Sequence, residues 1–307
     1  MSQFAVQFQN VTRWYGQVVA LRDVTLNFQG GVVGLLGQNG AGKTTFLRIL
    51  TGSMRPSKGV ALVFGAHAFG NPDLYRRIGY CPDHDNFFEF MTGREFVETL
   101  LGIHGFAGPE RARRASAALD RVKAAEFADR KIYGYSKGMR QRLKLAQALS
   151  HDPELLILDE PLNGADPIIR RDVIDLVKAL GREGRSVIIS SHVLHEVEAM
   201  TPHLLLLHKG RVMAAGEVRE IRGMIDRHPH SVRLRTPRGR DLAAVLARDP
   251  RVTELHIGEG VVTVRTPQPD AFYAALPQVL LDAGLPVHEI ESPDDNLDAV
   301  FRYLTEG

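Results

Sequence analysis

Apolar and polar residues alternate in FAVQFQNV, from Phe4, and again in ALRDVTLNF, from Ala20. That period of two predicts a pair of short antiparallel strands. Further along, the pattern changes to unbroken apolar runs: GVVGLLG ending at Gly37, LLILDE ending at Glu160, SVIISSH ending at His192 and HLLLLHKG ending at Gly210. Runs of strand length without alternation are what central parallel strands, covered on both faces, require. Helical periodicity between them, over Lys43 to Thr51 and Pro167 to Arg182, predicts an α/β architecture. The stretch from about Pro82 to His151 reads almost wholly helical and is expected to form a helical subdomain.

The character changes again at Glu217. EVREIRGMIDRH predicts a connecting helix, punctuated by HPHS. Beyond it SVRLRT, RDLAAVLARD, VTELHIGEGVVTVRT, DAFYAALPQVLLDAG, VHEIES and DNLDAVFRYLTE read as βαββαβ with a final helix, a ferredoxin-like order. The expected division is a first domain over 1–226, containing the helical part at 82–151, and a small α+β accessory domain over 227–307.

Composition narrows the class. A chain of 307 residues is long enough for about two domains and a sizeable core. With 44% hydrophobic and 24% charged residues and a net charge of +2, nothing indicates disorder or a charge-driven partner. The basic run ERARR, Glu110 to Arg114, is expected to be the solvated face of a helix, and no nucleic-acid partner is expected. Cys81 is the single cysteine, so a reducing compartment is the simpler expectation. No signal-peptide pattern precedes Phe4, and no apolar run approaches the roughly 20 residues that span a bilayer. A role at a membrane would need another chain to do the spanning.

The chemistry concentrates where the apolar runs end. GQNGAGKTT, Gly37 to Thr45, matches GxxxxGK[ST] between a buried strand and a helix, the setting of a phosphate-binding loop. Gly37, Gly40 and Gly42 allow the backbone of Asn39, Ala41 and their neighbours to curl with N–H groups inward, at a helix N-terminus that favours anions. Lys43 is expected to place its charge on the outer phosphates, Thr44 to offer a hydroxyl to Mg²⁺, and Thr45 to complete the cradle. LLILDE delivers two carboxylates at a strand's carboxyl end, where ligands sit in open α/β sheets. Asp159 is expected to hold Mg²⁺ through water, and Glu160 to accept a proton from an attacking water. His192, ending SVIISSH, is placed to bond a terminal phosphate and to orient Glu160.

In that order, the loop, the DE pair and the strand-end histidine resemble the ATP-binding cassette ATPases of ABC transporters, over about Phe4 to Gly216. YSKGMRQR then falls where the family carries its signature. The resemblance implies an α/β P-loop fold: a mixed, mostly parallel sheet, an antiparallel β subdomain and a helical subdomain. It also implies ATP and Mg²⁺ as ligands and two cassettes meeting head to tail, so that Ser136, Lys137 and Gly138 of one close over the nucleotide held by the other. Separate transmembrane permease subunits at the cytoplasmic face of the membrane are the implied partners. Tyr15, in RWYGQ, corresponds to the family's adenine-stacking ring, with Trp14 as its competitor. Asp166, in LNGADP, corresponds to the loop that communicates between sites, and Asp83 to a position where glutamine is usual.

Several positions depart from the family. Asp83 is shorter than glutamine, charged and unable to donate when ionised, so it is expected to approach Mg²⁺ through water. Lys137 and Met139 replace the usual Gly and Gln, while Ala165 stands where Leu is common. The ending DNLDAVFRYLT resembles exporter-type bacterial cassettes, so transport outward is the expectation, with the substrate unspecified. Two other readings compete: a soluble ABC-type mechanical ATPase acting on a macromolecular complex, and a P-loop kinase for a small molecule.

Overall fold

A computed structural model describes residues 4–225 and 230–292. The chain divides into two compact units after Gly216, so the connecting helix, Val218–Ile225, groups with the second unit instead of closing the first at 226. The expected final helix, from Asp295, and the first half of HPHS lie outside the described residues.

In the first unit, Val6–Tyr15 and Val18–Phe28 pair antiparallel along almost their whole length. The two are longer than the expected pair and belong to a four-stranded sheet in the order Val18–Phe28, Val6–Tyr15, Lys58–Val63, Ala66–His67. The second sheet has six strands, in the order Arg211–Glu217, His203–His208, Val32–Leu36, Ser186–Ser191, Leu155–Leu158, Ile78–Cys81. From His203–His208 to Ile78–Cys81 the neighbours run parallel.

The unbroken apolar runs follow from two cores. Leu155, Ile157 and Ile188 point into one, shared with Phe8, Phe46 and Leu47 of the antiparallel sheet and the helix Lys43–Leu50. Leu156, Leu158, Val187 and Ile189 point into the other, shared with Val173 and Val177 of the helix Pro167–Arg182 and with Leu143 and Leu145. Successive side chains of a strand alternate between faces, so with both faces covered the run from one face to the other stays apolar instead of alternating with polar residues. Each such leucine or isoleucine contributes about 1.5–3 kcal/mol by leaving water.

The expected helical region holds the helices Gly93–Ile103, Gly108–Arg121 and Lys137–Leu149. Gly93–Ile103 begins at a reciprocal cap: Thr92 Oγ1 accepts the Glu95 N–H and Glu95 Oε2 accepts the Thr92 N–H. Buried Tyr135, whose hydroxyl donates to the Phe127 carbonyl, anchors the chain just before Ser136.

The second unit has a sheet in the order Glu254–Ile257, Val261–Thr266, His230–Arg235, Glu289–Glu291, all antiparallel, with the helices Gly239–Leu246 and Pro269–Ala283 in the connections. That is the ferredoxin-like strand order. Its core is its own, built on Val232, Leu234, Leu242, Val264 and Phe272.

One glycine sets the approach of a helix to the central sheet. A Cβ on Gly34, in Val32–Leu36, would stand 2.0 Å from Cγ1 of fully buried Val197. Gly34→Ala is therefore expected to lose about 1–3 kcal/mol through overpacking, measured as a lower thermal midpoint; an unchanged midpoint would show that the helix Leu194–Met200 can retreat.

Candidate functional site

The parallel strands end together, and their ends carry the site. After Val32–Leu36 the chain turns through Gly40 at φ 81° and Gly42 at φ 108°, both left-handed, and enters the helix at Lys43. Gly37 and Gly42 are also held close to backbone: a Cβ on either would lie 2.6 Å from a carbonyl oxygen, of Leu207 and Ala20 respectively. Lys43 is buried, and its Nζ donates to the carbonyls of Gly37 (2.5 Å) and Gln38 (3.3 Å). Thr44 is exposed at the mouth of the loop and Thr45 is buried behind it.

Glu160 joins this loop to the neighbouring strands. Its Oε1 lies 3.2 Å from Lys43 Nζ and its Oε2 lies 2.9 Å from His192 Nδ1. A carboxylate only accepts, so Nδ1 of His192 carries the proton in that bond. The Glu160 backbone sits at φ 46°, a left-handed conformation that costs a non-glycine residue roughly 1–3 kcal/mol and persists only where its surroundings impose it. Its N–H donates to Ser190 Oγ at 2.8 Å. The same Ser190 hydroxyl donates to Asp159 Oδ1 at 2.6 Å, and the Tyr80 hydroxyl approaches Asp159 Oδ2 at 3.4 Å.

The aromatic pair separates. Tyr15 is 41% exposed, with its hydroxyl 3.5 Å from Thr45 Oγ1 and donating to Met54 Sδ. Each ring has a cation over it: the Arg13 guanidinium lies 5.0 Å from the Tyr15 ring centre and Lys58 Nζ lies 5.9 Å from that of Trp14. Tyr15 is thus the ring that touches the phosphate-loop helix.

A second group of residues gathers around the start of Lys137–Leu149. Ser136 caps that helix, its Oγ accepting the Met139 N–H at 3.3 Å; a serine oxygen that accepts can still donate. Lys137 lies over Gly164, where a Cβ would meet its Nζ at 1.9 Å, and a Cβ on Gly138 would come within 3.7 Å of Asp166 Oδ2. Asp166 caps Pro167–Arg182, accepting the N–H groups of Ile168 and Ile169 at 2.9 Å. Asp83 lies between the two groups, with Asn163 Nδ2 at 3.5 Å from its carboxylate and buried Lys144 donating to its carbonyl at 2.7 Å.

Two contacts went unread in the sequence. Ser190 is fully buried, following the apolar residues Val187 to Ile189 of its strand, and a hydroxyl there must find a partner; the tandem serines of SVIISSH were the available signal. Its neighbour Ser191 donates to Glu196 Oε2 at 2.8 Å, and Glu196 Oε1 pairs with Arg170 Nη1. This chain of contacts ties the turn at His192 to the helix that Asp166 caps.

Comparison with known proteins identifies the family. The family model described as ABC transporter matches residues 21–163. An uncharacterised ABC transporter ATP-binding protein of Nostoc sp. is 37% identical over 68% of the chain, which spans only 64% of that relative's length. The bacitracin transport ATP-binding protein BcrA of Enterococcus faecalis is 30% identical over 99% of the chain and 97% of its own length. Among solved structures, an ATP-binding cassette in a dimeric post-hydrolysis state, bound to ADP and Pi, superposes with a TM-score of 0.64 at 26% identity, over 70% of this chain and 99% of that one.

Asp159 is the electrostatic cost of the site. It is 5% exposed, and among the described residues no ion pair reaches it. Burial, and with it the nearby carboxylates of Asp83 and Glu160, holds its pKa above the usual aspartate value, against the Ser190 hydrogen bond that lowers it. A buried carboxylate with hydroxyls for neighbours fits a divalent cation. Among the described residues no group of three or more His, Cys, Asp or Glu could hold a metal. Because the folded pKa is raised, the native chain binds the proton more tightly than the unfolded one. Stability from this group therefore falls as pH rises from the unfolded through the folded value. Asp159→Asn keeps the acceptor for Ser190 and presents an N–H₂ to Tyr80. Melting in EDTA near neutral pH is expected to show a higher midpoint, about 2–4 °C for each kcal/mol gained, and a gain that shrinks on acidification through the raised pKa. A lower midpoint near neutral pH would contradict this electrostatic account.

Proposed function

From the premise that the chain belongs to the family of ABC transporter ATP-binding proteins, we propose that it binds ATP with Mg²⁺, hydrolyses it as a dimer and powers transport through separate membrane subunits. The observation that carries the chemistry is Glu160, whose carboxylate lies between Lys43 and His192 while its backbone is tied through Ser190 to Asp159. Water attacks the terminal phosphorus, Glu160 accepts the proton that the water loses, and the bond to the bridging oxygen breaks to release ADP and phosphate. A triphosphate competes with Glu160 for the Lys43 ammonium, so substrate binding itself would unmask the base. Thr44 and Asp159, with Asp83 at one side, would hold Mg²⁺, which would supply positive charge to the phosphate oxygens. His192 gives its Nδ1 proton to Glu160; to donate to phosphate it must protonate or turn that bond away. Tyr15, partly exposed, would stack on adenine, on the ring face that the Arg13 guanidinium leaves open or vacates.

Ser136, Lys137 and Gly138 act, in this reading, on the nucleotide of a second copy, because they are grouped with Asp166 and Gly164 and not with their own phosphate loop. A related cassette solved as a dimer with ADP and Pi supports that arrangement. No helix among the described residues is long and apolar enough to cross a membrane, and the proposed place of work is the cytoplasmic face, against permease subunits. The relative named for bacitracin transport matches both units. The resemblance of the tail to exporter-type cassettes supports transport outward.

Glu160→Gln is expected to bind ATP while phosphate release falls about 10²- to 10⁴-fold, and to run as a dimer in size-exclusion chromatography with saturating Mg-ATP. Phosphate release at the parental rate would remove Glu160 from its role, and a monomer under those conditions would count against the shared site.

A further inference from the structure

Ser190 has one hydroxyl and two partners, and the partners are the consecutive residues Asp159 and Glu160. Its O–H donates to a carboxylate oxygen of the first at 2.6 Å, the short distance of a charge-assisted bond, and its oxygen accepts the N–H of the second at 2.8 Å. Relative exposure of Ser190 is 0%, so water does not compete for either bond. The strand that carries it, Ser186–Ser191, is paired in register with Leu155–Leu158, Leu158 opposite Ile189, which brings the hydroxyl beside the residues that follow Leu158. Glu160 is left-handed at φ 46°, and its N–H is the atom that Ser190 holds.

We infer that Ser190 is a positioning residue for hydrolysis: a buried hydroxyl that fixes the carboxylate of Asp159 and the backbone of Glu160 together, so that the metal-holding group and the base keep one mutual orientation. This rests on the hydrolytic reading given above. A serine retained only to fill space would be served as well by alanine at this apolar position, whereas a hydroxyl that donates forward and accepts back locks two adjacent residues that perform different tasks. Loss of such a supporting contact characteristically costs about 10- to 100-fold in activity or metal affinity.

The test compares Ser190→Ala with Ser190→Thr, which keeps the hydroxyl. In the alanine variant kcat for phosphate release is expected to fall about 10- to 100-fold with KM for ATP little changed, and the threonine variant to recover most of that loss. A second readout is independent of turnover: titrating Mg²⁺ against binding of a fluorescent ATP analogue, the alanine variant should need about tenfold more Mg²⁺ for half-maximal effect, while its binding in EDTA matches the parent. Parental kcat and Mg²⁺ dependence in the alanine variant would overturn the inference, as would equal losses in both variants or a kcat loss that only tracks a fall in thermal midpoint. If the unaltered chain releases no phosphate from ATP, the hydrolytic reading itself fails, a result distinct from any of these.

Discussion

Apolar cores cover both faces of Leu155–Leu158 and Ser186–Ser191, so neither strand can hold a charged side chain until it leaves the sheet. The strands are parallel and in register with Val32–Leu36, and all three leave at the same edge. Asp159, Glu160, His192 and the loop from Gly37 to Lys43 are therefore neighbours because of how the core is packed, before any contact among them is considered. The contacts then refine the placement: Lys43 reaches Glu160, His192 takes its other oxygen, and Ser190 ties its backbone to Asp159. The price is a buried carboxylate and a left-handed glutamate, both held where the proposed chemistry uses them.

The residues around Ser136 are organised by a different logic. They sit at helix starts, exposed or half-exposed, and their contacts run to Gly164, Asp166 and Met139. An exposed helix N-terminus is an anion site in search of an anion. In the proposed twofold dimer each chain supplies that terminus to the other, which gives two equivalent sites from one surface. The chain of contacts from Ser191 through Glu196 to Arg170 joins the His192 turn to the helix behind Asp166.

Much of this was legible in the sequence, where the signal was strong for a physical reason. GQNGAGKTT is dense in glycine because two of its positions are left-handed and two approach a carbonyl oxygen, and LLILDE and SVIISSH show the change from buried to charged at a strand end. Pro167–Arg182 was readable to its ends because Asp166 and Pro167 mark the start. Less was readable where elements are short or half-covered: Lys58–Val63, Ala66–His67 and Ile78–Cys81 carry too few residues for a period to emerge. The pairing of Ser190 with two residues about thirty positions away depends on strand order, which periodicity does not encode. Lys137, expected to close over a second chain's nucleotide, lies over Gly164 of its own chain, a contact invisible without the fold.

The central claim is that each nucleotide site is built from two chains, and mixing two inactive variants tests it most directly. Lys43→Ala damages the phosphate loop and Ser136→Arg blocks the signature; each alone is expected to release little phosphate from ATP. A dimer with one chain of each kind contains one site with both defects and one with neither, so mixing should restore a substantial part of the parental rate. If the mixture stays as inactive as its components although mixed dimers form, the sites are complete within single chains and the account is wrong.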